Sequence, residues 1–261
     1  MKYSGYFICI DMDHTLKNTD GSISVENQQA IRMFQENGGR FTVATGRNAA
    51  HIAEYAAAFV PNAPICALNG AHIYDAATER ELYRGTIPLT PDVLKCVADI
   101  MRPFEAELRF FRVINDTNLT EFYSIAELLK NEAVICNGQW CKVLTVWETE
   151  ATTLCVKSAL MQSKLAANFR FVRSWHIGLE FNARADCKGT AVVRLKEKLP
   201  DVKKLVCIGD YENDLSMIQS ADIGVAVANA ILPVRAVADM VTVSNNEAAL
   251  AAVIHSLPPL E

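Results

Sequence analysis

Short, almost wholly apolar runs that each stop at a polar residue set the tightest limit on the fold of this chain. Residues 6–11 read YFICID, 40–45 RFTVAT, 64–70 PICALNG, 204–210 KLVCIGD and 222–227 DIGVAV. A strand that is apolar at successive rather than alternate positions is buried on both faces, as in a parallel sheet covered by helices. Helical stretches separate these runs. One starts after Ser24, a good N-cap with Glu26 in its first turn, and stops at Gly38-Gly39. A second covers NAAHIAEYAAAFV (48–60) and ends before Pro61. Later, KGTAVVRLKEKL (188–199) puts Val192, Leu195 and Leu199 on one stripe, and ENDLSMIQSA (212–221) and NEAALAAVIHSL (246–257) complete the alternation. The pattern predicts an α/β core built on a doubly wound parallel sheet.

The alternation is interrupted. Over residues 83–183 the reading is mixed, with helices expected at TPDVLKCVADIM and EATTLCVKSALMQ and strands at KVLTVWE, FRFVRS and IGLEFN. Phe110, Phe111, Trp140, Trp147 and Trp175 are concentrated there. We expect an α+β domain at 83–183 inserted into a discontinuous core of 1–82 and 184–261. The net charge of −5, with no basic block, argues against nucleic acid as a partner. The most apolar late stretch, IGVAVANAILPVRAV, is broken by Asn229, Pro233 and Arg235 and is too short to span a bilayer. The apolar run after Lys2 ends in acids, unlike a secretory leader. Eight cysteines with no C-x-x-C pair read as reduced, mostly buried thiols, so a cytoplasmic protein is expected.

In an open parallel sheet, ligands bind beyond the carboxyl ends of the strands. Those ends carry Asp11-Met12-Asp13, Thr45-Gly46-Arg47, Asn69-Gly70 and Gly209-Asp210, with Asn213 and Asp214 one turn further on and Lys188 opening a helix. Asp11 and Asp13 are two apart and share a strand face. Such a pair asks for a metal, a shared proton, or a turn that splays it into water. A D-x-D after a strand is by itself usually a solvated turn, TGR a common helix start, and a lysine before glycine a surface charge. Together on one rim they point elsewhere. Three or four carboxylates without His or Cys partners suit a hard cation, most simply Mg²⁺, which commonly bridges to phosphate. Lys188, Thr45 and helix-start N–H groups suit phosphate oxygens, and an aspartate can act as a nucleophile toward phosphorus.

The motifs DMDHT (11–15), TGR (45–47), KG (188–189) and GDYEND (209–214) resemble those of the haloacid dehalogenase superfamily of aspartate-nucleophile phosphatases. NGA (69–71), IGVAVANA (223–230) and VSNNEAALAAVI (243–254) resemble its Cof-type branch, which carries a large cap between core motifs two and three. The resemblance implies Asp11 as nucleophile and Mg²⁺ ligand, and Asp13 as general acid and base with its backbone carbonyl on the metal. It implies phosphate contacts from the Met12 and Gly46 amides, Thr45, Asn213 and Lys188. Asp210 would bind the metal, as would Asp214 directly or through water. Arg47, Asn69 and the cap aromatics are candidates for substrate contacts. The family usually has Gly after the second Asp, where this chain has His14; a tolerated substitution with the imidazole turned outward is the expectation.

The expected activity is Mg²⁺-dependent hydrolysis of a phosphomonoester on a small metabolite of the sugar phosphate or pyridoxal phosphate type. A phosphotransferase, mutase or sugar-conjugate phosphatase of the same fold is the alternative among enzymes. A phosphorylated receiver is about half this length, and a silent binding protein has no need of Asp11, Asp13, Thr45, Lys188 and Asp210 together.

Overall fold

A computed structural model describes residues 1–104, 107–114 and 117–260. In chain order the elements are β1 (Tyr6–Ile10), α1 (Val25–Glu36), β2 (Arg40–Val43), α2 (Ala49–Ala53), β3 (Ile65–Ala67), β4 (His72–Asp75) and β5 (Arg80–Arg84). Next come α3 (Pro91–Met101), β6 (Glu107–Ile114), β7 (Thr117–Ser124), α4 (Ile125–Leu128), α5 (Glu132–Cys136), β8 (Lys142–Val146), α6 (Glu150–Gln162), β9 (Phe169–Trp175) and β10 (Gly178–Ala183). The chain closes with α7 (Lys188–Lys198), β11 (Lys204–Gly209), α8 (Leu215–Ser220), β12 (Ile223–Ala226), α9 (Leu232–Val237), β13 (Met240–Val241) and α10 (Ala249–Ser256). It divides into two compact units, Met1–Tyr83 with Cys187–Glu261, and Arg84–Asp186.

The first unit is built on a sheet of order β13-β12-β11-β1-β2, parallel throughout. From β1 the chain steps through α1 to β2 in one direction. From β11 it steps through α8, β12 and α9 to β13 in the other. Right-handed crossovers that run in opposite directions put their helices on opposite faces. Accordingly α1 packs with α10, and α8 packs with α7. The order reverses between β1 and β11, whose register pairs Cys9 with Cys207 and Ile10 with Ile208. This is the switch point at which ligands bind in doubly wound sheets. Beside β2, Ala44 bridges to Cys66 in parallel, and β3-β4-β5 forms a small sheet of its own.

Three elements are shorter than the sequence suggests. The second helix is regular only over Ala49–Ala53 and continues as turns, with Ala53, Glu54, Ala56 and Ala57 exposed. Only Ile52 and Phe59 bury there, too little apolar area to hold a long helix in place. The third strand stops at Ala67 because Leu68, Asn69 and Gly70 all take positive φ (51°, 56° and 91°), which turns the chain sharply. The helix expected over 212–221 opens as a tight turn, Glu212–Asp214, before α8.

The inserted unit is a five-stranded sheet of order β7-β6-β8-β10-β9, antiparallel throughout. Phe110, Trp140, Val143, Trp147, Val156, Leu160 and Phe181 belong to its core. Trp140 donates its indole N–H to the Ile135 carbonyl at 2.7 Å. Phe110, Trp140 and Trp147 are therefore packing residues, and their clustering in the sequence marks a core. Lys142 and Glu180 form a buried ion pair at 2.5 Å across β8 and β10, and the Ser174 hydroxyl donates to Glu180. Among the described residues no helix is long and apolar enough to cross a membrane.

Candidate active site

The carboxyl ends of β1 and β11 each deliver an aspartate to the switch point. Asp11 directly follows β1, and its N–H donates to Ile208 at 2.9 Å, which levels it with the end of β11. The chain then makes a wide turn over Met12–Leu16, with Leu16 N–H on the Asp11 carbonyl at 3.2 Å and Lys17 N–H on the Met12 carbonyl at 2.9 Å. This splays the two acids: Asp11 is buried, whereas the Asp13 side chain is 36% exposed. His14 sits at φ 60°, ψ 11° with an exposed side chain, and its carbonyl accepts from Asn229 Nδ2 at 2.8 Å.

Asp11, Asp210 and Asp214 gather carboxylate oxygens within 4.8 Å of one another, all three buried. Lys188 opens α7, an unfavourable place for a cation at a helix N-terminus. It is fully buried, and its Nζ lies 2.5 Å from Asp11 Oδ1 and 2.6 Å from Asp214 Oδ1. The other Asp214 oxygen accepts the N–H groups of Asp210 (2.9 Å) and Tyr211 (3.1 Å). Asp214 thus braces the loop and the lysine. Thr15 Oγ1 donates to Asp210 Oδ1 at 2.9 Å, tying the two strand ends together.

Burial pushes the Asp11 carboxyl up to about 7, with Lys188 opposing and Asp214 adding to the rise. Burial, together with the charges of Asp11 and Asp214, raises Asp210 to about 9. Burial alone would strip a proton from Lys188, but Asp11 and Asp214 hold it well above the ordinary lysine value. Three buried carboxylates against one ammonium are short of positive charge, which shifts Asp11 and Asp210 toward their protonated forms. An all-oxygen donor set with that deficit fits a divalent hard cation.

Asp13 stands outside this cluster. Its Oδ2 accepts from Arg47 Nε at 2.6 Å, and its Oδ1 from Arg47 Nη2 at 3.1 Å and Lys17 Nζ at 2.9 Å. Burial would raise the Asp13 carboxyl, but the two cations outweigh it and bring it down to about 2. Arg47, expected to meet substrate, here grips this carboxylate. Lys17 and Tyr55, whose ring centroid is 4.9 Å from Lys17 Nζ, belong to the site and were missed in the sequence. The available signal was a lysine four residues after Asp13.

The second rim is continuous with the first. Thr45 is buried, its Oγ1 accepts Arg47 N–H at 3.1 Å, and its carbonyl accepts Asn69 N–H at 2.9 Å. Asn213 Nδ2 donates to Asn69 Oδ1 at 3.2 Å. Thr45, Gly46, Asn69 and Asn213 thus come from three loops to one place, and Met12 follows Asp11 at the head of the turn.

A family pattern for haloacid dehalogenase-like hydrolases matches residues 8–254. The chain is similar to a 5-amino-6-(5-phospho-D-ribitylamino)uracil phosphatase of Bacillus subtilis, 28% identical over 251 residues that cover 95% of this chain and 93% of that protein. It is also similar to the pyridoxal phosphate phosphatase of Escherichia coli, 22% identical over 275 residues, covering 95% and 97%. Among solved structures, a haloacid dehalogenase-like hydrolase from Bacteroides thetaiotaomicron superposes with a TM-score of 0.73 at 26% identity, covering 95% of this chain and 98% of that one. With its strand-end acids at the switch point and a match from the first strand to the last helix, the chain belongs to the haloacid dehalogenase-like hydrolase family.

Proposed function

We propose that this phosphatase, of the Cof-type branch, hydrolyses the phosphomonoester of a small metabolite in two steps through Asp11. The observation that carries the reading is Lys188 held between Asp11 and Asp214 at the ends of β1 and β11. In the first step an Asp11 carboxylate oxygen bonds to phosphorus, the ester P–O bond breaks, and Asp13 gives a proton to the departing alkoxide. In the second, water bonds to phosphorus, its proton goes to Asp13, and the bond to Asp11 breaks, releasing inorganic phosphate. Thr45, Asn213, Lys188 and the Met12 and Gly46 amides hold the phosphoryl oxygens. Asp11, Asp210 and the Asp13 carbonyl would hold Mg²⁺, and Asp214, already bonded by Lys188 and two amides, would hold it through water. When bound, the ion supplies positive charge to the phosphoryl oxygens and to Asp11. With Arg47 and Lys17 both on it, Asp13 is ionised, so its turn as acid follows release of the Arg47 arm.

The inserted unit, residues 83–183 in the sequence reading, is assigned the choice of leaving group. The relatives' named substrates, 5-amino-6-(5-phospho-D-ribitylamino)uracil and pyridoxal phosphate, set the panel, with the sugar phosphates of the sequence reading added. Among the described residues no disulfide joins any of the eight cysteines, which suits a reducing cytoplasm. The test is phosphate release from this panel and from p-nitrophenyl phosphate, with Mg²⁺ and with chelator. Stoichiometric inorganic phosphate that disappears with chelator supports the reading. Full activity in excess chelator overturns the metal assignment, and transfer to an acceptor without free phosphate overturns hydrolysis.

A further inference from the structure

A lysine four residues from an acid usually forms a solvated pair of little consequence. Lys17 is different, because its side chain is only 8% exposed. Its backbone is pinned at both ends: the N–H donates to the Met12 carbonyl at 2.9 Å, and the carbonyl accepts from Asn245 Nδ2, also at 2.9 Å. Its Nζ sits between Asp13 Oδ1, 2.9 Å away, and the face of Tyr55. Arg47 grips the same carboxylate but is 45% exposed. The carboxylate thus has one buried anchor, Lys17, on Oδ1 alone, and one exposed anchor, Arg47, that spans both oxygens; once the Arg47 arm leaves, Lys17 still holds Oδ1 and Oδ2 is open. An exposed guanidinium exchanges for water or ligand at low cost, whereas a buried ammonium cannot leave its carboxylate partner without a large desolvation penalty.

We infer that Lys17 is a positioning residue for Asp13: it keeps Oδ1 and so leaves Oδ2 as the oxygen that meets the leaving group and the attacking water. The inference rests on the acid and base role proposed above for Asp13. A carboxylate free to rotate would present its proton-carrying oxygen correctly for only part of the time, and small misplacements of a reacting group cost up to about 100-fold in rate. Lys17 takes no part in the bonds made or broken.

The experiment compares Lys17→Met and Lys17→Arg in the full chain with Mg²⁺ and p-nitrophenyl phosphate. It follows kcat, KM, the melting temperature and the mass of acid-quenched enzyme. Lys17→Met should lower kcat about 10- to 100-fold with KM nearly unchanged. Phosphate should accumulate on the enzyme, since the second step needs Asp13 most. Lys17→Arg should recover much of the rate. A folded Lys17→Met with kcat near wild type, or with a raised KM alone, overturns the inference. If Lys17→Met does not fold, Tyr55→Leu, which removes the ring face against Lys17, decides: a fall in kcat without a change in KM supports the anchor, and an unchanged kcat overturns it. A wild type that never carries phosphate on Asp11 defeats the two-step reading. A phosphorylated wild type beside an unaffected Lys17→Met defeats only the role of Lys17.

Discussion

His14 takes the left-handed backbone that glycine takes freely, at φ 60°. For most residues that conformation costs roughly 1–2 kcal/mol, and His is among those that tolerate it. Asn229 holds the His14 carbonyl, and the imidazole is exposed. His14→Gly should therefore leave kcat/KM within about twofold and change stability by no more than about 1 kcal/mol, toward stabilisation, because relief of strain outweighs the added freedom of the unfolded chain. Thermal melts and steady-state kinetics check both, and a tenfold loss of kcat/KM would place the imidazole at the substrate instead. Asp11→Asn has the opposite profile. The amide keeps the shape but is a poor nucleophile, and Lys188 keeps Asp214 as a partner. Turnover should fall at least about 10³-fold with the fold intact and no phosphate on the quenched enzyme. Retention of a tenth of the rate would make water the nucleophile.

Among the elements, α7 matters most to the site, because it carries Lys188 into the carboxylates at its first turn. It can do so because Gly189 lets it approach α8 closely; a Cβ there would run into the Ser216 carbonyl. Gly189→Ala should destabilise by about 1–3 kcal/mol, as overpacking does, and should lower kcat by displacing Lys188. A melt unchanged within error would mean that the two helices separate at no cost. Strands β1, β2, β11 and β12 of the core sheet, and β3 beside it, were legible with the polar residues where they end, since runs such as LVCIG have no alternative partner periodicity; the two-residue β13 was not. β4, β5, β6 and β7 were not, because RELYR and ELRFFRVI mix charges with apolar residues, as half-exposed antiparallel strands do. Positions along the chain brought Asp11, Asp210 and Lys188 to one rim. They could not show that Arg47 and Lys17 both turn to Asp13, because side-chain partners across loops follow from packing and leave no periodic trace.

At the scale of the whole molecule, the carboxylate cluster links folding to pH and to metal. Asp11 at about 7 and Asp210 at about 9 lie above the value near 3.9 of an unfolded aspartate. Between pH 4 and 9 the metal-free folded chain therefore holds protons that the unfolded chain has released. Stability changes with pH as the unfolded minus the folded proton count, which is negative here, so it falls as pH rises, by about 1.4 kcal/mol per pH unit for each full proton. Asp13, at about 2, acts in the other direction: its contribution is present above pH 4 and is lost as pH falls through 2. The metal-free protein should accordingly be most stable near pH 4–5 and melt at lower temperature at pH 8. Mg²⁺ competes with the same protons, so it should raise the melting temperature more at pH 8 than at pH 5 and release protons on binding. Melts across pH in chelator and in excess Mg²⁺ test this, with calorimetry in two buffers of different ionisation enthalpy to count the protons. A metal-free melting temperature that stays flat or rises from pH 5 to 8 would mean that Asp11 and Asp210 share no protons in the fold. The deficit of positive charge that makes this cluster a site for a divalent cation would then have to be met by another group.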